Sequence, residues 1–171
     1  MKSTIQEKRL KRVKQTAEVF TPLPLVLDML NKLPDAYWNN PHATTLEHSC
    51  GDGIFIINII LKRLNQYKQN IEDIIMGIHG RDIMKDNIEI TRTKVIEIII
   101  DELNKMNLPK TEFNKKLIKL TTVLFYNIHY TKDTLKEDFD KLKPYNHDNP
   151  TKKMDVKVVE AIQFLNNKKY I

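Results

Sequence analysis

The sequence predicts a three-layer α/β domain built on a shortened, mainly parallel sheet. Short β-branched and apolar stretches alternate with longer stretches of helical periodicity, the pattern of parallel strands joined by helices that cover the sheet. The first strand candidate runs into "CGDG" and then into a helical stretch, which makes a strand, a glycine turn and a helix in succession. A length of 171 residues with 41% hydrophobic residues suffices for one core of ordinary domain size and falls short of two.

Residues 1–16 read as a basic arm and 17–171 as the single domain. The arm has too few apolar residues to anchor a core helix. Its Lys8, Arg9, Lys11, Arg12 and Lys14 are candidate DNA phosphate contacts, and the alternative is a solvated terminus. The net charge of +6, from 28 Lys and Arg against 22 Asp and Glu, agrees with an anionic partner such as nucleic acid.

"FTPLPLVLDMLNKLP" predicts a short helix with Leu25, Leu27, Met29, Leu30 and Leu33 on an apolar face, Thr21 as its cap and Pro34 as its stop. Tyr37 and Trp38 are expected to pack the next loop over that helix. Residues 43–47 predict a buried strand, which Gly51 and Gly53 end, and a helix follows from Ile54 to about Tyr67. "IMGIHGRDI" (75–83) supplies a second strand. In the helix after it, Ile88, Thr91, Val95, Ile98 and Ile99 recur at helical spacing. "KLTTVLFYNIHY" (119–130) reads as a third strand on β-propensity, and 152–167 as a helix or a strand leading into one.

Ligands of open parallel sheets gather at the carboxyl ends of the strands, where a glycine turn admits a group that a Cβ would block. Gly51 and Gly53 stand there, beside the unpaired amides of a helix start, and Glu47 or Asp52 could pair a cationic group. The same glycines equally serve a tight structural turn. Asp82 ends the second strand, where it can accept both hydrogen bonds of a ribose diol or cap the helix beginning near Lys85. With Asp133 after the third strand, three acids would line one crevice.

Together, "EVFTP", "LEHSCGDGIF", "GRDI" with "NIEITRTKV", and "KDTL" resemble the S-adenosylmethionine-dependent DNA methyltransferases that modify the exocyclic amine of adenine. The likeness spans about Ala17 to Asp138. It implies a Rossmann-like methyltransferase fold and S-adenosylmethionine as cofactor. Phe20, Thr21 and Pro22 match the segment over the cofactor's methionine end, and Glu47, Ser49, Gly51 and Gly53 match the glycine loop beneath it. Asp82 matches the acid on the ribose, and Asp133 an acidic position near the adenine. The implied activity is methyl transfer to adenine in DNA, as in restriction-modification.

The family's N/D-P-P-Y/F tetrapeptide, which holds the target amine and stacks on the flipped base, has no counterpart in this sequence. "KPY" and "DNP" carry the residue types in another order, so Asn149 and Pro150 are the catalytic candidates, against a plain turn cluster. A catalytically inactive cofactor- or DNA-binding module is therefore the alternative. Its shortened sheet would expose an edge for a second subunit or another copy of the chain.

The five histidines show no paired metal spacing and Cys50 has no cysteine partner, so no metal site is expected. Cys50, two residues from His48, is expected to be a packing residue rather than a nucleophile. The single cysteine precludes an intramolecular disulfide, and no apolar run approaches the roughly 20 residues of a membrane span. A soluble protein of the cytoplasm, in a bacterium or a virus-infected cell, is the expectation.

Overall fold

Three short strands, β1 (Thr45–Glu47), β2 (Ile78–Asp82) and β3 (Ile128–Tyr130), pair in parallel in the order in which the chain visits them. Thr45 lies opposite Ile78, Gly80 opposite Ile128 and Asp82 opposite Tyr130, so the carboxyl ends share one edge. The computed structural model describes residues 19–132 and 152–171, with Val13 before them. Over these residues the protein is a mixed α/β structure on a small parallel sheet. The basic residues Lys8, Arg9, Lys11, Arg12 and Lys14 lie outside the described residues.

Helix α1 (Leu23–Asn31) starts at Pro22, whose carbonyl accepts from the amides of Leu25 and Val26. Pro24 fits the first turn, where an amide has no intrahelical acceptor. Thr21, the expected cap, is not the cap residue, and no side chain caps the helix. The expected apolar face is also displaced: Val26 and Leu30 are buried, while Leu25, Leu27, Met29 and Leu33 are exposed. Pro34 stops α1 and opens α2 (Asp35–Asn39), which buries Trp38 against the stacked ring of Tyr67 and the edge of Tyr37.

β1 is shorter than the expected 43–47 and only half-buried. From it the glycine loop leads to α3 (Ile54–Asn65), whose Ile56, Ile59 and Ile60 enter the core. Arg63 of α3 is fully buried and donates to the carbonyls of Asn40, Pro41 and Ala43 and to Gln69. It thereby fixes the chain that enters β1.

The second strand begins later than expected because residues 71–77 are helical. Asn70 caps α4 (Ile71–Gly77) by accepting from the Glu72 amide, and Glu72 and Asp73 stand in its positive first turn. α5 (Lys85–Lys105) buries Ile88, Thr91, Val95 and Ile99 as expected, while Ile98 is half-buried.

The largest departure lies at 119–130. All but its last three residues belong to α6 (Lys110–Asn127), and β3 is confined to Ile128–Tyr130. α6 packs against α4, α5 and α7 (Lys152–Asn167) as well as the sheet. Burial of Leu120, Val123, Leu124 and Phe125 there outweighs the local β-propensity.

Both α4 and α6 pass into strands without an intervening residue, which would leave their last carbonyls unpaired. Buried side chains supply the donors. The Asn127 amide donates to the carbonyls of Ile75 and Met76, Arg81 donates to that of Asn127, and Arg92 donates to those of Phe125 and Ile128.

β2 is buried throughout, and its His79 is 1% exposed with no hydrogen-bond partner on either ring nitrogen among the described residues. Burial, then the neighbouring charges of Arg81 and His129, hold its pKa down at about 4 against 6.5. The unfolded chain therefore binds a proton that the native state refuses between these values, and stability falls as pH drops from 6.5 towards 4. The expected loss is on the order of 3 kcal/mol by the lower end. Urea midpoints at neutral and acid pH should diverge for the native chain and converge in His79→Phe.

Candidate functional site

The loop between β1 and α3 turns twice through left-handed backbone, with φ of +53° at Gly51 and +86° at Gly53. Side chains rarely adopt this region, which is the local reason for "CGDG". The turn closes on itself, since the Gly53 amide donates to the Cys50 carbonyl and the Gly53 carbonyl accepts from Ile57. The Cys50 amide donates to the Arg81 carbonyl, which ties the loop to the adjacent strand.

Asp82 holds the loop from below. Its Oδ2 accepts from the Gly51 amide at 2.8 Å, and its Oδ1 accepts from the Met84 amide at 2.7 Å and from the Asn87 side chain at 3.4 Å. At 6% exposure the carboxylate organises two turns at once. The N-cap position of α5 belongs to Met84, so Asp82 is not the cap residue itself. A carboxylate offers about four acceptor sites, and these three bonds leave one for a ligand hydroxyl.

Two α5 residues clamp the loop from the side: Thr91, expected only as a position of the helical repeat, and Lys94, for which no role was expected. The Thr91 hydroxyl donates to the Gly51 carbonyl at 3.0 Å, and the Lys94 ammonium reaches both the carbonyl and the carboxylate of Asp52. Their spacing of three residues places both on one helix face, the signal that would have found them. Asp52 is thus already paired with Lys94, which leaves Glu47 as the acid for a cationic group.

The two glycines differ in function. A Cβ at Gly51 would stand 3.4 Å from the Phe20 ring, so the "FTP" segment lies directly on the glycine loop. A Cβ at Gly53 would meet Thr91 at 2.8 Å, and Gly53 is buried. The absence of a Cβ at Gly53 therefore gives α5 its close approach to the loop.

Glu47 is half-buried at the end of β1, and its pKa is raised by burial in spite of the Ser49 amide and His48. Ser49 and Pro22 are exposed and Thr21 is half-buried at the same end of the sheet. Ile83, beside Asp82, is 54% exposed, an apolar surface at the strand end that the sequence reading passed over. Cys50 is 4% exposed and packs towards Gly80, and burial with the Asp82 and Glu47 charges pushes its thiol up to about 12. A thiol so protonated is a packing group, as expected, and no nucleophile.

Asp133, Asn149 and Pro150 lie outside the described residues. Among the described residues, no three of His, Cys, Asp and Glu come together in a metal-binding arrangement, and no helix is long and apolar enough to cross a membrane. Comparison with known protein families, curated proteins and solved structures gives no significant match.

Proposed function

We propose that the chain is an S-adenosylmethionine-binding protein of the adenine-specific DNA methyltransferase type, with a Rossmann-like sheet reduced to its cofactor half. The observation that carries this reading is the seating of Phe20 against Gly51 while Asp82 accepts the Gly51 amide from beneath. Two sequence-distant motifs and one acidic strand end thereby meet at the carboxyl edge of a parallel sheet, where such folds bind nucleosides.

The residues fit the cofactor. Gly51 lets the Phe20 ring cover the loop closely, since a Cβ there would already touch the ring at 3.4 Å. Glu47 offers a carboxylate to a cationic amino acid end, and Asp82 retains one acceptor site for a ribose hydroxyl. Ile83 offers an apolar surface to a flat base. When bound, S-adenosylmethionine supplies a methyl group made electrophilic by its sulfonium. The protein's part is to hold that end under Phe20 and away from water. The bonds from Asp82 and Thr91 keep the loop in one shape beforehand.

Methyl transfer further requires the target amine in line with the methyl, at about 3 to 3.5 Å. The sequence lacks the tetrapeptide that performs this task in the family, and "DNP" is a poor substitute for it. The second reading, a cofactor- or DNA-binding module completed by a partner subunit, rests on that absence. The purified chain is expected to bind S-adenosylmethionine and to incorporate almost no tritiated methyl into the adenine of unmethylated DNA. Robust turnover by the chain alone would overturn the module reading. In that event, loss of activity in Asn149→Ala would assign the amine-holding role to "DNP".

A further inference from the structure

A cleft of about 460 Å³ opens between α5, the end of α6, β3 and α7, and none of its described walls belongs to the glycine loop. Three cations, Lys85, Arg92 and Lys157, and three aromatic rings, Phe125, Tyr130 and Phe164, share these walls. Glu89 is the one acid among the described lining residues. The volume lies within the roughly 300–1,000 Å³ of small-molecule sites.

The cations occupy different depths. Arg92 is spent on the structure: its guanidinium donates to two carbonyls and lies 4.1 Å from the Phe125 ring centre, which makes it a fixed positive floor. Burial holds its pKa down at about 10, so it stays charged at neutral pH. Lys157 pairs with Glu160 at 2.7 Å. Lys85 is exposed and has no acidic partner among the described residues, its ammonium lying 5.1 Å from the Tyr130 ring centre. Phe125 and Phe164 meet edge to face at 5.4 Å, which forms an apolar wall beside these charges.

Apolar aromatic walls favour a flat ring, and an ammonium at the rim with no acidic partner among the described residues favours an anion. A molecule with both features is an aromatic heterocycle carrying a phosphate. We propose that this cleft is a second site, separate from the glycine loop, that takes a nucleoside 5′-phosphate, either free or as one unit of a single-stranded nucleic acid. A base lies against Phe164, which the buried Phe125 backs, and its phosphate meets Lys85. On a protein that acts on DNA, such a site would hold a nucleotide beside the cofactor edge, since Tyr130 lies opposite Asp82 in the sheet.

The test titrates the full chain with adenosine 5′-monophosphate, with adenosine and with a single-stranded DNA octamer. Saturable binding of the monophosphate or the octamer is expected, with the tighter of the two identifying the source, and with adenosine at least about tenfold weaker than its monophosphate. Lys85→Glu, an exposed change that leaves the fold intact, should weaken phosphate-bearing ligands at least about tenfold. Saturating S-adenosylhomocysteine should not displace them. The proposal is overturned if neither ligand saturates, if Lys85→Glu leaves affinity unchanged, or if S-adenosylhomocysteine competes, which would merge the two sites. Should the chain bind the monophosphate but no S-adenosylhomocysteine, this site stands and the cofactor reading of the glycine loop fails.

Discussion

Gly53→Ala is expected to destabilise the fold by about 2–6 kcal/mol, the sum of a left-handed backbone cost and an overpacking cost of about 1–3 kcal/mol each. The φ of +86° strains any side chain, and the added carbon would stand 2.8 Å from both the Thr91 methyl and its hydroxyl oxygen. The two costs are separable. Thr91→Ala removes both of the closest atoms and should return part of the lost stability in the Gly53→Ala background, while the backbone cost persists. Denaturant midpoints of the four proteins in this cycle measure the coupling. Simple additivity would show that Gly53 and Thr91 do not press on each other.

Asp82→Ala is expected to cost about 2–6 kcal/mol in stability, because the part-buried amides of Gly51 and Met84 each lose an acceptor worth about 1–3 kcal/mol. It should also abolish S-adenosylmethionine binding, since the loop and the ribose acceptor depend on the same carboxylate. Asp82→Asn retains one oxygen as an acceptor and places an amide donor opposite a backbone donor. It is expected to fall between the two in denaturant midpoint. Full stability in Asp82→Ala would mean that Thr91, Lys94 and the Cys50–Arg81 backbone bond suffice to hold the loop.

The β1, glycine turn and α3 unit was legible because backbone conformation favours its residues: two positive φ values favour two glycines, and "IFIINIILKRL" supplies enough apolar positions for a helix. Asp82 was legible as a strand-end acid, yet its work under the loop was not. A bond spanning 31 residues leaves no local trace. The stretch 119–130 misled because Thr, Val, Phe and Tyr favour strands in isolation, whereas here the helix around them is buried by α4, α5 and α7. The expected strand at 75–83 took no account of a local signal, for Asn70 followed by Glu72 and Asp73 marks a helix start. The exposed leucines of α1 show the opposite error, since a mostly apolar helix does not reveal from its own sequence which face the core takes.

The claim at the centre of this account is that Phe20 and the glycine loop together enclose a cofactor. Calorimetric titration of S-adenosylmethionine into the native chain and into Phe20→Ala tests it most directly, because Phe20 is half-buried and precedes the first helix, where truncation leaves the core in place. One saturable site is expected in the native chain and at least about tenfold weaker binding in Phe20→Ala, with the denaturant midpoint changed little. Absence of binding at millimolar cofactor, or an affinity indifferent to Phe20, would contradict it.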